Sequence, residues 1–301
     1  MSDNRIENPW KSGYGRPALF AIFIFILMAL CYGGLVSISI VVPLTNTQED
    51  NLALGSCILI PALMVVAVLI WGAYGNKRRF SSLDVAFARL GLTGRSYLLE
   101  GRQYHGIMSG RPVDVYFYRG PKLDIYIFAH FNTRLGIGLR GRYTHLQSGV
   151  VNRPLMVIND PEMAHLGVYP QDAQWSRALV ENPAAKGSIL TLTTVESKSE
   201  YRNLQFQPEA LFVQLHRFKF NHLTTEKLRF WISESITLSE TVESLPSPTV
   251  TAAPLDVERW SRSDRSGYTV LLGLITIGII AFFTLIIIIF MIILNLISLG
   301  R

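Results

Sequence analysis

The chain has 301 residues, of which 49% are hydrophobic, and its mean hydropathy of +0.28 is high for a soluble protein of this length. Its formal net charge is +6, and its two cysteines, Cys31 and Cys57, both fall inside uncharged apolar runs, which argues against a disulfide-built scaffold.

Residues 1–16 form a short polar segment with Arg5, Lys11 and Arg16. No residue from Pro17 to Leu44 is charged, none from Leu52 to Tyr74, and none from Gly267 to Gly300. A spanning helix needs about 20 apolar residues to cross a hydrocarbon core of about 30 Å, and each run is long enough. The first run is longer than the usual apolar core of a signal peptide, and no small-x-small cleavage site follows it. The loop PLTNTQEDN leads straight into the second run, so residues 17–74 read as a retained transmembrane hairpin with spans at about 17–44 and 52–74. Residues 267–300 read as a third transmembrane helix. Pro17 suits a first helical turn, and Pro61 kinks the second span.

Short flanks set the orientation. Lys77, Arg78 and Arg79 follow the second run, Arg259, Arg262 and Arg265 precede the third, and the hairpin loop holds only Glu49 and Asp50. Lys and Arg favour the cytoplasmic side. The expectation is a multi-pass protein of the inner (plasma) membrane, with its N-terminus and its polar middle in the cytoplasm.

Residues 75–243 then read as a cytosolic α+β domain with a largely antiparallel sheet, the chain as a whole being an integral membrane protein with three helical spans. In VDVYFYRGPKLDIYIF, Val113, Val115 and Phe117 alternate with Asp114, Tyr116 and Tyr118, and the period of two resumes after a Gly-Pro turn. That pattern predicts a hairpin. QDAQWSRALVENP predicts a short helix with Trp175, Ala178 and Leu179 inward, ended by Pro183, and PAAKGSILTL predicts another that starts on that proline. NLQFQPEALFVQLHRF predicts two strands across Pro208-Glu209. TTEKLRFWISESITLSETVE places Leu228, Trp231, Ile232 and Val242 at helical spacing. Residues 244–266, with three prolines in SLPSPTVTAAP, read as a Pro-rich, flexible linker.

Gly106, Gly110 and Arg111, then Asp160, Asn182-Pro183 and the strands of 203–218, follow one another in an order that resembles uncharacterised bacterial membrane-anchored proteins with a cytosolic α+β domain. The resemblance covers roughly residues 97–218 and implies no activity.

Catalytic patterns are poor. Gly136, Gly138 and Gly141 have G-x-G-x-x-G spacing, but no helical periodicity comes after them, and a dinucleotide site needs a helix there. Among His105, His130, His145, His165, His216 and His222 no pair has metal-binding helical spacing, and there is no H-E-x-x-H, C-x-x-C, G-x-S-x-G or phosphate loop. Glu196 and Glu200 read as solvated loop carboxylates. The chain is expected to need no catalytic residues, cofactor or metal, and not to be an enzyme.

Charge is the feature above background. Residues 75–159 hold 13 Lys/Arg against 4 Asp/Glu, whereas 160–266 hold 11 against 14. Arg95, Arg102, Arg111, Arg119, Arg140 and Arg142, mostly beside glycines, are candidate contacts to anionic inner-leaflet lipid or to a partner, at about 1 kcal/mol each near a membrane surface. Gly106 and Gly110 read as turn glycines. Tethering to a membrane and an acidic second half argue against nucleic acid. Two functions remain. The first is a non-catalytic anchored protein whose domain binds a protein partner, or a second copy, or organises a membrane complex. The alternative is a sensor or transport-related component whose helices do the work. No Asp, Glu, Lys, Arg or His lies in any membrane run, which weighs against an ion path.

Overall fold

Period-two alternation in residues 111–128 builds the centre of the sheet. The computed structural model describes residues 6, 9, 80–97, 101–118, 121–140, 154–256, 258 and 278. The three apolar runs apart from Gly278, most of the N-terminal segment, Arg119 and Arg142 lie outside the described residues. Among the described residues, no helix is long and apolar enough to cross a membrane. The chain divides into two compact units, residues 1–8 with 82–266, and residues 9–81 with 267–301.

The sheet and its helices belong to the first unit. In chain order the elements are α1 (Ser81–Ala88), β1 (Thr93–Tyr97), β2 (Gly101–Met108), β3 (Arg111–Tyr118), β4 (Lys122–Phe128), β5 (Leu135–Leu139), β6 (Leu166–Pro170), α2 (Ala173–Glu181), α3 (Pro183–Thr193), β7 (Tyr201–Gln207), β8 (Ala210–His216), a 3-10 turn (Phe220–His222) and α4 (Thr225–Glu243). The eight strands form one sheet in the order β1-β2-β3-β4-β8-β7-β5-β6. Every neighbouring pair is antiparallel. This is the α+β architecture the alternation implies.

One face of the sheet is apolar. Val113, Val115 and Phe117 stand beside Ile127, Ile125 and Leu123, then Leu211, Val213 and Leu215, then Phe206 and Leu204, all fully buried or nearly so. The helices pack here: Phe87 of α1 stacks on Tyr104, Trp175 of α2 meets Phe206, and Trp231 of α4 meets Phe218 and the guanidinium of Arg202. Burial of such side chains stabilises by about 1.5–3 kcal/mol each.

Caps fix the helices. Asn182 ends α2 and starts α3, its side chain accepting from the N–H groups of Ala184 and Ala185 at 3.0 and 3.1 Å. Pro183 fits the next position because it has no N–H to leave unpaired there. Ala178, expected inward, is exposed, while Trp175 and Leu179 are buried.

The two glycines expected in turns play different parts. Ser109 and Gly110 both have positive φ (49° and 77°), and Met108 pairs with Arg111, so they form a two-residue hairpin turn of the primed type that matches strand twist. Gly106 is not a turn residue, a correction to the sequence reading. It lies inside β2 opposite Val113, and a Cβ there would come within 2.7 Å of Leu92 Cδ2 and 2.8 Å of the Gly91 carbonyl oxygen. A close crossing of backbone, not a turn, excludes a side chain.

Within 244–266, expected to be slack, Thr249, Val250, Ala252 and Glu258 are bonded to the domain. Asp172 Oδ2 accepts from Thr249 N–H (2.6 Å), Thr249 Oγ1 (2.7 Å) and Val250 N–H (2.9 Å), and Ala252 N–H donates to the Asn132 carbonyl at 2.7 Å. Glu258 is buried against Arg134. The prolines deny this stretch its own hydrogen-bond ladder, so its donors take partners across the fold.

Candidate binding surfaces of the domain

Arg95 and Arg102 lie on adjacent strands but point to opposite faces. Arg95 Nε donates to Gln103 Oε1 at 2.8 Å, whereas Arg102 forks onto both oxygens of Asp84 at 2.9 and 2.6 Å. Arg111 reaches Glu243 at 2.5 Å and Glu240 at 3.6 Å, both on α4. Burial works against the charge of Arg102, yet its bonds to Asp84 raise its pKa further. The hydrogen bond to Glu243 does the same for Arg111. Arg140 is exposed and donates through Nε to the Leu166 carbonyl. The structure therefore does not gather these four on one face, and Arg102 and Arg111 face carboxylates of their own chain. Arg111, Pro112, Phe128, His130, Glu240 and Glu243 line a cleft of about 620 Å³ at the hairpin end of the sheet.

The second face of the sheet is polar yet buried. One row crosses five strands, Gln103–Tyr116–Asp124–Gln214–Asn203. Gln103 Nε2 donates to Tyr116 Oη at 2.9 Å, Gln214 reaches Asp124 at 3.5 Å, and Lys122 Nζ lies 3.1 Å from Asp124. Neither amide atom of Asn203 has a partner among the described residues. Tyr97, Tyr116, Tyr126 and Phe212 form an aromatic cluster there, flanked by Tyr118. Burial pushes the Asp124 carboxyl up to about 6, against the pull of Lys122, and burial beside Asp124 pushes the Tyr118 phenol far above its ordinary value. On the next row His105 Nδ1 lies 2.6 Å from Asp114. The burial that raises the Asp124 carboxyl is not revealed by the alternation of LDIYIF, which gives only the face the carboxylate takes.

Glu200 also departs from expectation. It is buried and paired with Arg202 at 2.7 Å, while Glu196 engages Lys227 and His222. Gly136 and Gly138 lie within β5, which pairs on both sides, and Gly141 lies outside the described residues. Among the described residues no group of three His, Cys, Asp or Glu could hold a metal.

A third surface lies at the β6 edge. Met156 N–H donates to the Val168 carbonyl at 2.8 Å, an isolated antiparallel bridge that lays 154–158 along β6. Between this strip and the α2–α3 joint is a cleft of about 660 Å³, floored by Met156, Ile158, Val180 and Pro183. Lys186 on its rim is neutralised by Asp160 and Glu162, at 2.6 and 2.5 Å. The sequence carries one signal for this surface, the short apolar run of Leu155, Met156, Val157 and Ile158, which is too short to predict a strand by itself.

No family model matches the chain, and no curated protein matches it. Among solved structures, the crystal structure of the mycobacterial trehalose monomycolate transport factor A, TtfA, is similar at 10% identity and a TM-score of 0.41, covering 56% of this chain and 96% of that one. A likeness at that level says nothing of what this chain binds.

Proposed function

We propose that this is a membrane-anchored, multi-pass protein of the inner membrane, without catalytic activity of its own, whose cytosolic domain binds a protein partner. The observation that carries the anchoring is at Ile6. It is buried in the domain, and its N–H donates to the Leu223 carbonyl at 3.2 Å. A chain that leaves the domain at about residue 8, passes two uncharged runs and rejoins it at about residue 82 begins and ends on the same side of a bilayer. Two crossings satisfy that, and one does not. At the other end Glu258 is fastened to Arg134, and the eight residues 259–266 separate it from the third run. A single cysteine at Thr47, with Cys31 and Cys57 replaced, is expected to react with an impermeant thiol reagent in intact cells, and one at Ser199 to remain unlabelled. The reverse pattern overturns the orientation.

In this reading the lipid contact falls to Arg95 and Arg140, because both are exposed, whereas the side chains of Arg102 and Arg111 are only 14% and 20% exposed. In nanodiscs of anionic lipid at low salt, amide exchange in β1 and at the end of β5 should be slower than in neutral lipid. Reversing both charges should remove the difference, each contact contributing about 1 kcal/mol that salt screens over about 8–10 Å. Equal exchange in the two lipids removes lipid from the proposal.

A further inference from the structure

The sheet ends in an unfinished edge. Because Met156 turns its N–H and C=O toward Val168, the flanking Leu155 and Val157 turn theirs the other way, as antiparallel geometry requires. Among the described residues the main chain of Leu155 and Val157 makes no hydrogen bond, and the side chains are exposed, Val157 by 75% and Leu155 by 43%. Folded proteins guard such edges with charge or proline, since an open row of donors and acceptors pairs readily with another chain. Among the described residues, only Pro154 stands at the start of the strip.

Charge around the strip is lopsided. Lys186 is neutralised by Asp160 and Glu162. Arg177 lines the cleft from α2, is exposed and has no hydrogen bond or ion pair among the described residues. A strand added beyond 154–158 would send alternate side chains to opposite faces. One set would enter the cleft over Val180 and Pro183, under Arg177, and the other would cover Leu155 and Val157.

We propose that this edge takes an extended segment of another protein as an additional strand, main chain to main chain along residues 155–157, with an aspartate or glutamate of that segment paired to Arg177. The inference rests on the partner-binding reading and specifies its site. A second copy of this chain fits less well. Its own strip would bring Asp160, which Lys186 already holds, and so no unpaired carboxylate for Arg177.

The test is a display library of random peptides of about eight residues, a strand's length, selected on the full chain in mild detergent, with the selected peptides measured by fluorescence anisotropy. Selected sequences should alternate β-branched residues and carry Asp or Glu. Val157→Pro removes an N–H that bonds to nothing in the described fold, so the protein should keep its unfolding midpoint while peptide affinity falls by about tenfold or more. Val157→Thr, which keeps the N–H, should bind within about threefold of the parent. Arg177→Glu should weaken acidic peptides about tenfold and select lysine-bearing ones instead. Selected peptides whose binding ignores Val157→Pro overturn the edge. A particle mass that halves with Val157→Pro while no peptide is selected overturns the hetero-partner in favour of a second copy. Labelling at Thr47 and Ser199 reports the membrane arrangement independently, so failure at the edge is distinguishable from failure of the anchoring.

Discussion

Glu258→Ala should lower the unfolding midpoint of the full chain by on the order of 10 °C and make 245–258 the first site of protease cleavage. The side chains of Arg134 and Glu258 are only 8% and 5% exposed, and the guanidinium donates to both carboxylate oxygens at 2.8 and 2.9 Å. The same carboxylate accepts the Leu255 N–H at 2.7 Å, so one side chain closes the last turn and neutralises a buried cation. Deleting it leaves that cation unpaired, which costs about 3–5 kcal/mol. Each kcal/mol moves the midpoint of a unit of about 150–250 residues by about 2–4 °C. Glu258→Gln keeps one accepting oxygen but loses the charge and turns an NH2 toward a donor that the second oxygen had accepted, so its loss should approach that of Glu258→Ala. The double change Arg134→Met, Glu258→Met should recover much of the loss, since it leaves no charge to compensate. A midpoint unchanged in Glu258→Ala, with 245–258 already the first cut in the parent, means the strap is not held.

That strap lies beyond what local sequence can specify. The central strands, the caps at Asn182 and Thr224 and the helices α2, α3 and α4 are written locally, in periodicities of two or 3.6 and in residues that bond their own neighbours, whereas α1 is not among the expected elements. Glu258 and Arg134 are 124 residues apart, Glu243 and Arg111 are 132, and Asp172 and Thr249 are 77. No local pattern ties such partners, so SLPSPTVTAAP reads as slack and the arginines read as available. Gly106 misleads for the same reason. Its need for a bare Cα comes from Gly91 and Leu92, which a different element brings over it. Alternation shows that 113–128 has two kinds of face, and the tyrosines of the second imply that it is covered as well, as it is, but not which polar groups it buries together. Of the candidate surfaces, the basic residues are visible as composition only, while the open edge depends on which strand ends the sheet, a property of strand order.

The polar face supports the second strong prediction, a change in how stability follows pH. The Asp124 carboxyl has an ordinary value of 3.8 and is pushed up to about 6 by burial, against Lys122. Between those values the folded protein keeps a proton that the unfolded chain has released. Protonation therefore favours the fold, and the contribution present below about pH 4 is lost as pH rises through about 6. A rise from 3.8 to about 6 corresponds to roughly 3 kcal/mol. Asp124→Asn removes the ionisation while keeping an acceptor for Gln214, and Lys122 remains partly exposed, 4.9 Å from the centre of the Tyr118 ring. Its stability should match the parent near pH 4 and exceed it near pH 7. Asp172 acts the other way: burial pushes it up, but the N–H groups of Trp175 and Val250 and both donors of Thr249 hold it at about 2, so its contribution fades as pH falls toward that value. The observable is therefore the difference between parent and Asp124→Asn in denaturant unfolding from pH 4 to 7. A difference that does not change over that range means the Asp124 charge is already solvated, and then the polar row is reached by water and its glutamines are satisfied by solvent rather than by one another.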